Sequence, residues 1–279
     1  MPTVLTSDGV RVSVADFGGR GPDLVMAHAT GFHSHVWEPV ARLLTDRFRC
    51  LALDLRGHGD SGPAPDGDYH WRGFALDCLA VVDGLGLTRP IGVGHSCGGA
   101  SLMLAELARP GTFAHLYCYE PIVIPSEGPG VPNPGNHLAV GARRRREVFP
   151  SRQAAYENYA SKPPFDILAP QSLRAYVDYG FADVGDGTVR LKCRREVEAA
   201  VFTESSSHDA FARLGRLGCP VTLACGELTD NFGPAIMTRL AQRLPRAVVT
   251  TFPGLGHFGP QQDPEVVAAA IRRAVTAEP

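Results

Sequence analysis

The chain has 279 residues, of which 44% are hydrophobic and 20% charged, with a formal net charge of −2. That length suits one large α/β domain with room for an inserted unit. The near-neutral charge lacks the basic excess of a nucleic-acid binder, and no apolar stretch approaches the length of a membrane span.

In chain order, residues 10–17 alternate as Val10-Arg11-Val12-Ser13-Val14 after an Asp8-Gly9 turn, which predicts a period-two strand. Asp23 to His28 is almost wholly apolar and predicts a strand buried on both faces. It opens into Ala29-Thr30-Gly31-Phe32, and a helical stretch follows to about Thr45. Arg49 to Leu53 is another buried strand, leading into Asp54-Leu55-Arg56-Gly57-His58-Gly59-Asp60-Ser61-Gly62. A helix is expected from Trp71 to Leu85, with Phe74, Leu76, Leu79, Val82 and Leu85 mostly at helical spacing.

The run Ile91-Gly92-Val93-Gly94-His95-Ser96-Cys97-Gly98-Gly99 predicts a strand, an abrupt turn and a helix. In that context G-x-S-x-G reads as a nucleophile elbow. Its central residue takes strained backbone geometry that only small neighbours tolerate, so Gly94 and Gly98 clear space for it. Ser96 then stands at the positive end of the following helix, where developing negative charge is favoured. A further strand is expected at residues 114–119.

From Glu120 to Gly135 proline and glycine are too dense for either kind of element to continue. Residues 137–213 then read as mainly helical, with one strand-like patch at Val189-Arg190-Leu191. The expected organisation is a core of residues 1–124 and 216–279 interrupted by a helical cap at 125–215. The run Arg143 to Arg146, read as four successive helical residues, points all round its helix, so most of it is expected to face water. Cap aromatics such as Phe149, Tyr156, Tyr159, Phe165, Tyr176, Tyr179 and Phe181 are expected mainly to pack the cap, with pocket lining as the alternative. The strand–helix pattern resumes at Pro220 to Cys225, Pro234 to Leu244, Ala247 to Phe252 and Pro264 to Val275. Such alternation predicts a mostly parallel sheet with helices on both faces and a site at the carboxyl ends of the strands.

A serine hydroxyl needs a positioned base, and the base an orienting acid. The best base is His257, in the Gly-rich loop after the last strand. Asp230, after the preceding strand, is the favoured acid. Glu120, directly after the strand beside the elbow strand, is the alternative. The oxyanion donors are expected to be the backbone N–H groups of Cys97 and Thr30. Cys97 as nucleophile is the minor alternative, since the elbow register puts Ser96 at its apex.

Seven cysteines, an odd number, show no close C-x-x-C pair and lie mostly in apolar runs. They imply a reduced chain without a disulfide framework. Met1 to Gly9 has neither a basic n-region nor an apolar h-region, so a cytoplasmic protein is expected.

The chain resembles the serine-dependent α/β-hydrolase-fold enzymes. The resemblance rests on His28-Ala29-Thr30-Gly31-Phe32 with Trp37, on Asp54 to Ser61, on the elbow, on Gly226 to Asp230 and on Gly256-His257-Phe258. Ala29 stands where that family usually has glycine. The Gly226–Asp230 spacing is one residue longer than the common form, which keeps Glu120 in play. The resemblance implies an α/β-hydrolase fold, no metal or organic cofactor, and a bracing role for Arg56 and His58. It also implies hydrolysis of a carboxylic ester or lactone of a small to medium apolar substrate through an acyl-serine. A carbon–carbon (diketone) hydrolase on the same triad, or a hydrolase-like sensor or receptor, is the alternative. Neither nucleic acid nor membrane is an expected partner, and the sequence leaves the oligomeric state open.

Overall fold

Eight strands form one sheet in the order β1-β2-β4-β3-β5-β6-β10-β11, in a computed structural model that describes residues 2–230 and 232–276. The strands are β1 (Thr3–Leu5), β2 (Arg11–Gly18), β3 (Asp23–Ala27), β4 (Arg49–Leu53), β5 (Ile91–His95), β6 (His115–Tyr119), β10 (Val221–Gly226) and β11 (Ala247–Phe252). From β4 to β11 every neighbouring pair is parallel, while β2 runs antiparallel to β4 and β1 antiparallel to β2. The Thr3–Leu5 strand was not expected from the sequence.

The apolar runs are explained by what lies on each side of the sheet. Val25, Ala27, Leu51 and Leu53 pack into one core layer, while their neighbours Leu24, Met26, Cys50 and Ala52 pack into the other. A strand covered on both faces has no solvent side, so period-two alternation disappears. The first layer is closed by α2 (Trp71–Gly84), α3 (Cys97–Ala108) and α9 (Pro234–Ala241), and the second by α1 (Glu38–Arg42) and α11 (Pro264–Thr276). Along α2, Trp71, Phe74, Cys78 and Val81 are buried at three- and four-residue spacing, the stripe an amphipathic helix lays on a sheet. Helix α11 begins with Pro264, whose missing N–H costs nothing there, and the Asp263 carboxylate accepts from Val266 N–H at 3.0 Å as its cap.

Between β6 and β10 the chain forms α4 (His137–Arg143), β7 (Val148–Phe149), α5 (Arg152–Ala160), α6 (Pro170–Gly180), β8 (Phe181–Asp183), β9 (Val189–Leu191), α7 (Arg195–Thr203) and α8 (Ala210–Arg213). The expected patch at Val189–Leu191 is present as β9. It is the middle strand of a three-stranded antiparallel sheet, β7-β9-β8. Phe149, Tyr159, Tyr176, Phe181 and Leu191 from this insertion belong to the same buried cluster as Phe32 and Trp37, so its apolar side is continuous with the second core layer. A short helix, α10 (Gly259–Gln262), joins the loop after β11 to α11.

All seven cysteines are buried and unpaired. Among the described residues no helix is long and apolar enough to cross a membrane.

Candidate active site

The loops after β3, β5, β6, β10 and β11 leave the same edge of the sheet, because those strands are parallel neighbours in the order β3-β5-β6-β10-β11. Thr30, Ser96, Glu120, Asp230 and His257 are carried by those loops in turn.

Ser96 sits between β5 and α3 with φ 55° and ψ −115°. A non-glycine residue there is strained, and the surroundings must hold it. Ser96 N–H donates to the Tyr119 carbonyl at 2.9 Å, and the Ser96 carbonyl accepts from Ala100 N–H and Ile122 N–H, each at 3.2 Å. Gly98 shows why the motif needs a glycine: a Cβ there would lie 2.2 Å from the Ala27 carbonyl oxygen, so α3 could not approach the end of β3. Cys97 is the first residue of α3, and the first N–H groups of a helix find no acceptor within it. Its thiol is fully buried, which pushes it up to about 12 although hydrogen bonds from Thr30 and Ser101 oppose the rise. The thiol therefore stays protonated near neutrality and makes a poor nucleophile.

Thr30 sits inside a tight turn in which the Ala29 carbonyl accepts from Phe32 N–H at 3.1 Å and from His28 Nδ1 at 2.8 Å. His28 Nε2 in turn accepts from Leu55 N–H at 3.0 Å, fixing the loop after β3 to the loop after β4. Among the described residues Thr30 N–H meets no protein acceptor.

The histidine's acid partner is Glu120. His257 Nδ1 lies 2.6 Å from Glu120 Oε2, and that carboxylate is wholly buried. It also accepts from Gly226 N–H and Thr229 Oγ1, each at 2.9 Å. A carboxylate can only accept, so the hydrogen is on Nδ1 and Nε2 is left free. Asp230, the favoured acid, lies exposed in the turn beyond β10, and no hydrogen bond joins it to His257 among the described residues. The end of β10 and that turn instead contribute Gly226 and Thr229 to the carboxylate of Glu120.

Two residues overlooked in the sequence hold the histidine loop. His95 Nε2 donates to the His257 carbonyl at 2.8 Å, with the two rings 5.0 Å apart, and Tyr119 OH donates to the Gly256 carbonyl at 2.8 Å. Their signal was position, since each directly precedes a residue already singled out. Burial lowers the His95 pKa well below its ordinary value, and the neighbouring His257 adds to the effect. Its ring is therefore a neutral prop.

The Asp54–Gly62 loop is built from buried ties. Asp54 accepts from Ser34 N–H at 2.6 Å and Asp60 N–H at 2.8 Å, while the buried Arg56 guanidinium pairs with Asp77 and Asp8, each at 2.8 Å. His58 is buried beside His28 with ring centroids 5.1 Å apart. No group of three or more His, Cys, Asp or Glu side chains is arranged to hold a metal among the described residues.

The profile of the alpha/beta hydrolase family matches residues 24–270. The chain belongs to that family. Its sequence is 27% identical over 280 residues to the non-heme chloroperoxidase of Streptomyces lividans, with 96% of each chain covered. E-2-(acetamidomethylene)succinate hydrolase superposes with a TM-score of 0.84 at 22% identity, covering 99% of both chains. The esterase RhEst1 from a Rhodococcus species superposes with a TM-score of 0.76 at 23% identity, covering 99% of this chain and 98% of that one. In this α/β hydrolase the insertion departs from expectation at Arg145. Of the four successive arginines, Arg144 and Arg146 are exposed, but the Arg145 side chain is only 17% exposed and pairs with Glu198 at 2.5 Å. Helix α4 ends at Arg143, so the four never share a helix.

Proposed function

We propose that this α/β hydrolase cleaves a carboxylic ester or lactone through an acyl-Ser96 intermediate, with the insertion over residues 125–215 acting as a cap. The His257–Glu120 pair at 2.6 Å, in a loop anchored to the elbow through His95, carries the reading. Ser96 Oγ attacks the carbonyl carbon as its proton passes to His257 Nε2. Glu120, holding Nδ1–H, fixes the tautomer and stabilises the imidazolium. The N–H groups of Thr30 and Cys97 receive the oxyanion, each worth on the order of 10²–10³ in rate. His257 then returns the proton to the leaving alkoxide, and a water activated by the same imidazole releases the acid. A lactone gives a hydroxy acid by the same steps. Phe32, Phe165, Phe258 and Tyr176, with centroid separations of 4.9 to 6.1 Å, supply an aromatic wall beside the histidine.

The test is covalent labelling with a fluorophosphonate and mass mapping of the adduct, beside turnover of a panel of p-nitrophenyl esters and a β-diketone. Labelling at Ser96 is expected, with ester turnover falling by about 10³-fold or more in Ser96→Ala. Undiminished ester turnover in Ser96→Ala would overturn the proposal. Turnover of the diketone alone would replace ester cleavage by carbon–carbon cleavage.

A further inference from the structure

Arg145 lies against the turn that bears Thr30. A Cβ placed on Gly31 would be 3.3 Å from Arg145 Nη1 and 2.5 Å from Glu198 Oε1. The guanidinium donates through Nη1 to Glu198, and through Nη2 to Tyr176 OH at 2.6 Å and Tyr159 OH at 3.0 Å. The Tyr176 ring is 5.2 Å from Phe32, which is 5.6 Å from Phe258, the neighbour of His257. Two aromatic rings, Phe32 and Phe258, thus link the cluster to the proposed base.

Its hydrogen bonds do not balance. Each phenol oxygen accepts from Arg145 and keeps its own O–H to give. Among the described residues, neither phenol O–H nor Arg145 Nε–H finds a protein acceptor. Burial holds the Tyr176 phenol well above its ordinary pKa, so that O–H stays a donor. A purely apolar pocket has no use for this arrangement, because desolvating a guanidinium costs several kcal/mol and well-packed apolar residues often do as well. An acceptor-only anion small enough to lie beside the oxyanion turn is the complement of such a donor set, and a carboxylate has that chemistry.

We infer that Arg145, with the hydroxyls of Tyr159 and Tyr176, binds a carboxylate on the acyl part of the substrate, so that the preferred ester or lactone is one of a short dicarboxylic acid. This rests on the acyl-Ser96 reading and deepens it. Arg145 is a specificity determinant in a site otherwise walled by aromatic rings.

The experiment compares kcat/KM for monomethyl succinate and methyl butyrate, which differ mainly in the terminal carboxylate. The wild-type protein is expected to prefer monomethyl succinate by about 10- to 100-fold, the range of one or two hydrogen bonds to a charged group. Arg145→Gln should collapse that preference through KM. Because it leaves Glu198 unpaired, the double variant Arg145→Gln/Glu198→Gln and the variant Tyr159→Phe/Tyr176→Phe are measured too, and both should narrow the preference. An equal or greater kcat/KM for methyl butyrate in the wild type overturns the inference and leaves ester hydrolysis standing. So does a wild-type preference that all three variants leave unchanged. Failure to turn over either ester, with no label on Ser96, overturns both.

Discussion

At the scale of single residues, the acid is where sequence and structure part. Chain order favoured Asp230, an acid between the elbow and the histidine and just beyond a strand. Glu120 satisfies the same description, and spacing alone cannot choose, because β6 and β10 are parallel neighbours whose ends meet at one edge. What decides is three-dimensional. Glu120 turns at φ 44° directly after β6, and its N–H donates to the Ala224 carbonyl at 2.8 Å, carrying the carboxylate under the histidine loop. The elbow and the histidine loop, by contrast, show in the sequence as glycine-rich turns, with Gly94, Gly98 and Gly99 around Ser96 and Gly254, Gly256 and Gly259 around His257. Glu120→Gln should therefore lower kcat by about 10³–10⁴, as loss of the orienting carboxylate does in serine triads. Asp230→Asn should change it by less than about threefold, since an exposed residue without a role is nearly neutral. Steady-state ester kinetics on the two variants decide the matter, and a larger loss in Asp230→Asn would reverse the assignment.

Among the elements, the strand–turn–helix unit β5–α3 sets the geometry because it is pressed against the end of β3. Gly98→Ala must push a Cβ away from main chain, the Ala27 carbonyl oxygen and carbon at 2.2 and 2.3 Å, and no side chain can move aside. The expected cost is about 1–3 kcal/mol of stability, together with lower kcat/KM, because the movement separates the Thr30 turn from the first N–H of α3. Gly141→Ala in α4 is the control: its Cβ would meet nothing within 4 Å, and alanine in a helix gains about 0.5–1 kcal/mol. Urea unfolding of both variants checks the contrast, and a Gly98→Ala protein as stable as Gly141→Ala would sink it. The same scale shows where the sequence was silent. Strands β7 and β8, of two and three residues, are too short to show any period, and only their pairing with β9 makes them strands. Most of the arginine run faces water as expected, but Arg145 lies beyond the last turn of α4, and its direction is set by Glu198 on α7.

For the whole molecule, the loops are tied together by imidazoles buried in neutral form, and this gives the fold a pH dependence. Burial lowers the pKa of His28 and His95 well below 6.5, brings His33 to about 3 and depresses His58 as well. His33 joins the loop after β3 to the insertion through the Tyr176 carbonyl at 3.0 Å, and His28 joins it to the loop after β4. The sign follows from proton counting. Below 6.5 the unfolded chain takes up protons that the folded one refuses, so stability is present above 6.5 and is lost as the pH falls toward the folded values. His33 alone should account for about 2 kcal/mol of loss between pH 7 and 5. Two buried carboxyls work the other way: burial raises Asp77 to about 6, against the pull of Arg56, and also raises Asp54. Below pH 6 the folded chain holds protons on these acids that the unfolded chain would release. That offsets part of the loss, but four imidazoles outnumber two carboxyls. Urea titrations from pH 8 to 5 should show a midpoint that is nearly level down to about pH 7 and then drops at constant slope m. His33→Asn should flatten the drop by its own share, whatever the starting stability of the variant. A wild-type midpoint that stays level to pH 5 would mean that the imidazoles take up protons in the folded state. The loops they brace would then have to open to water far more readily than their burial allows.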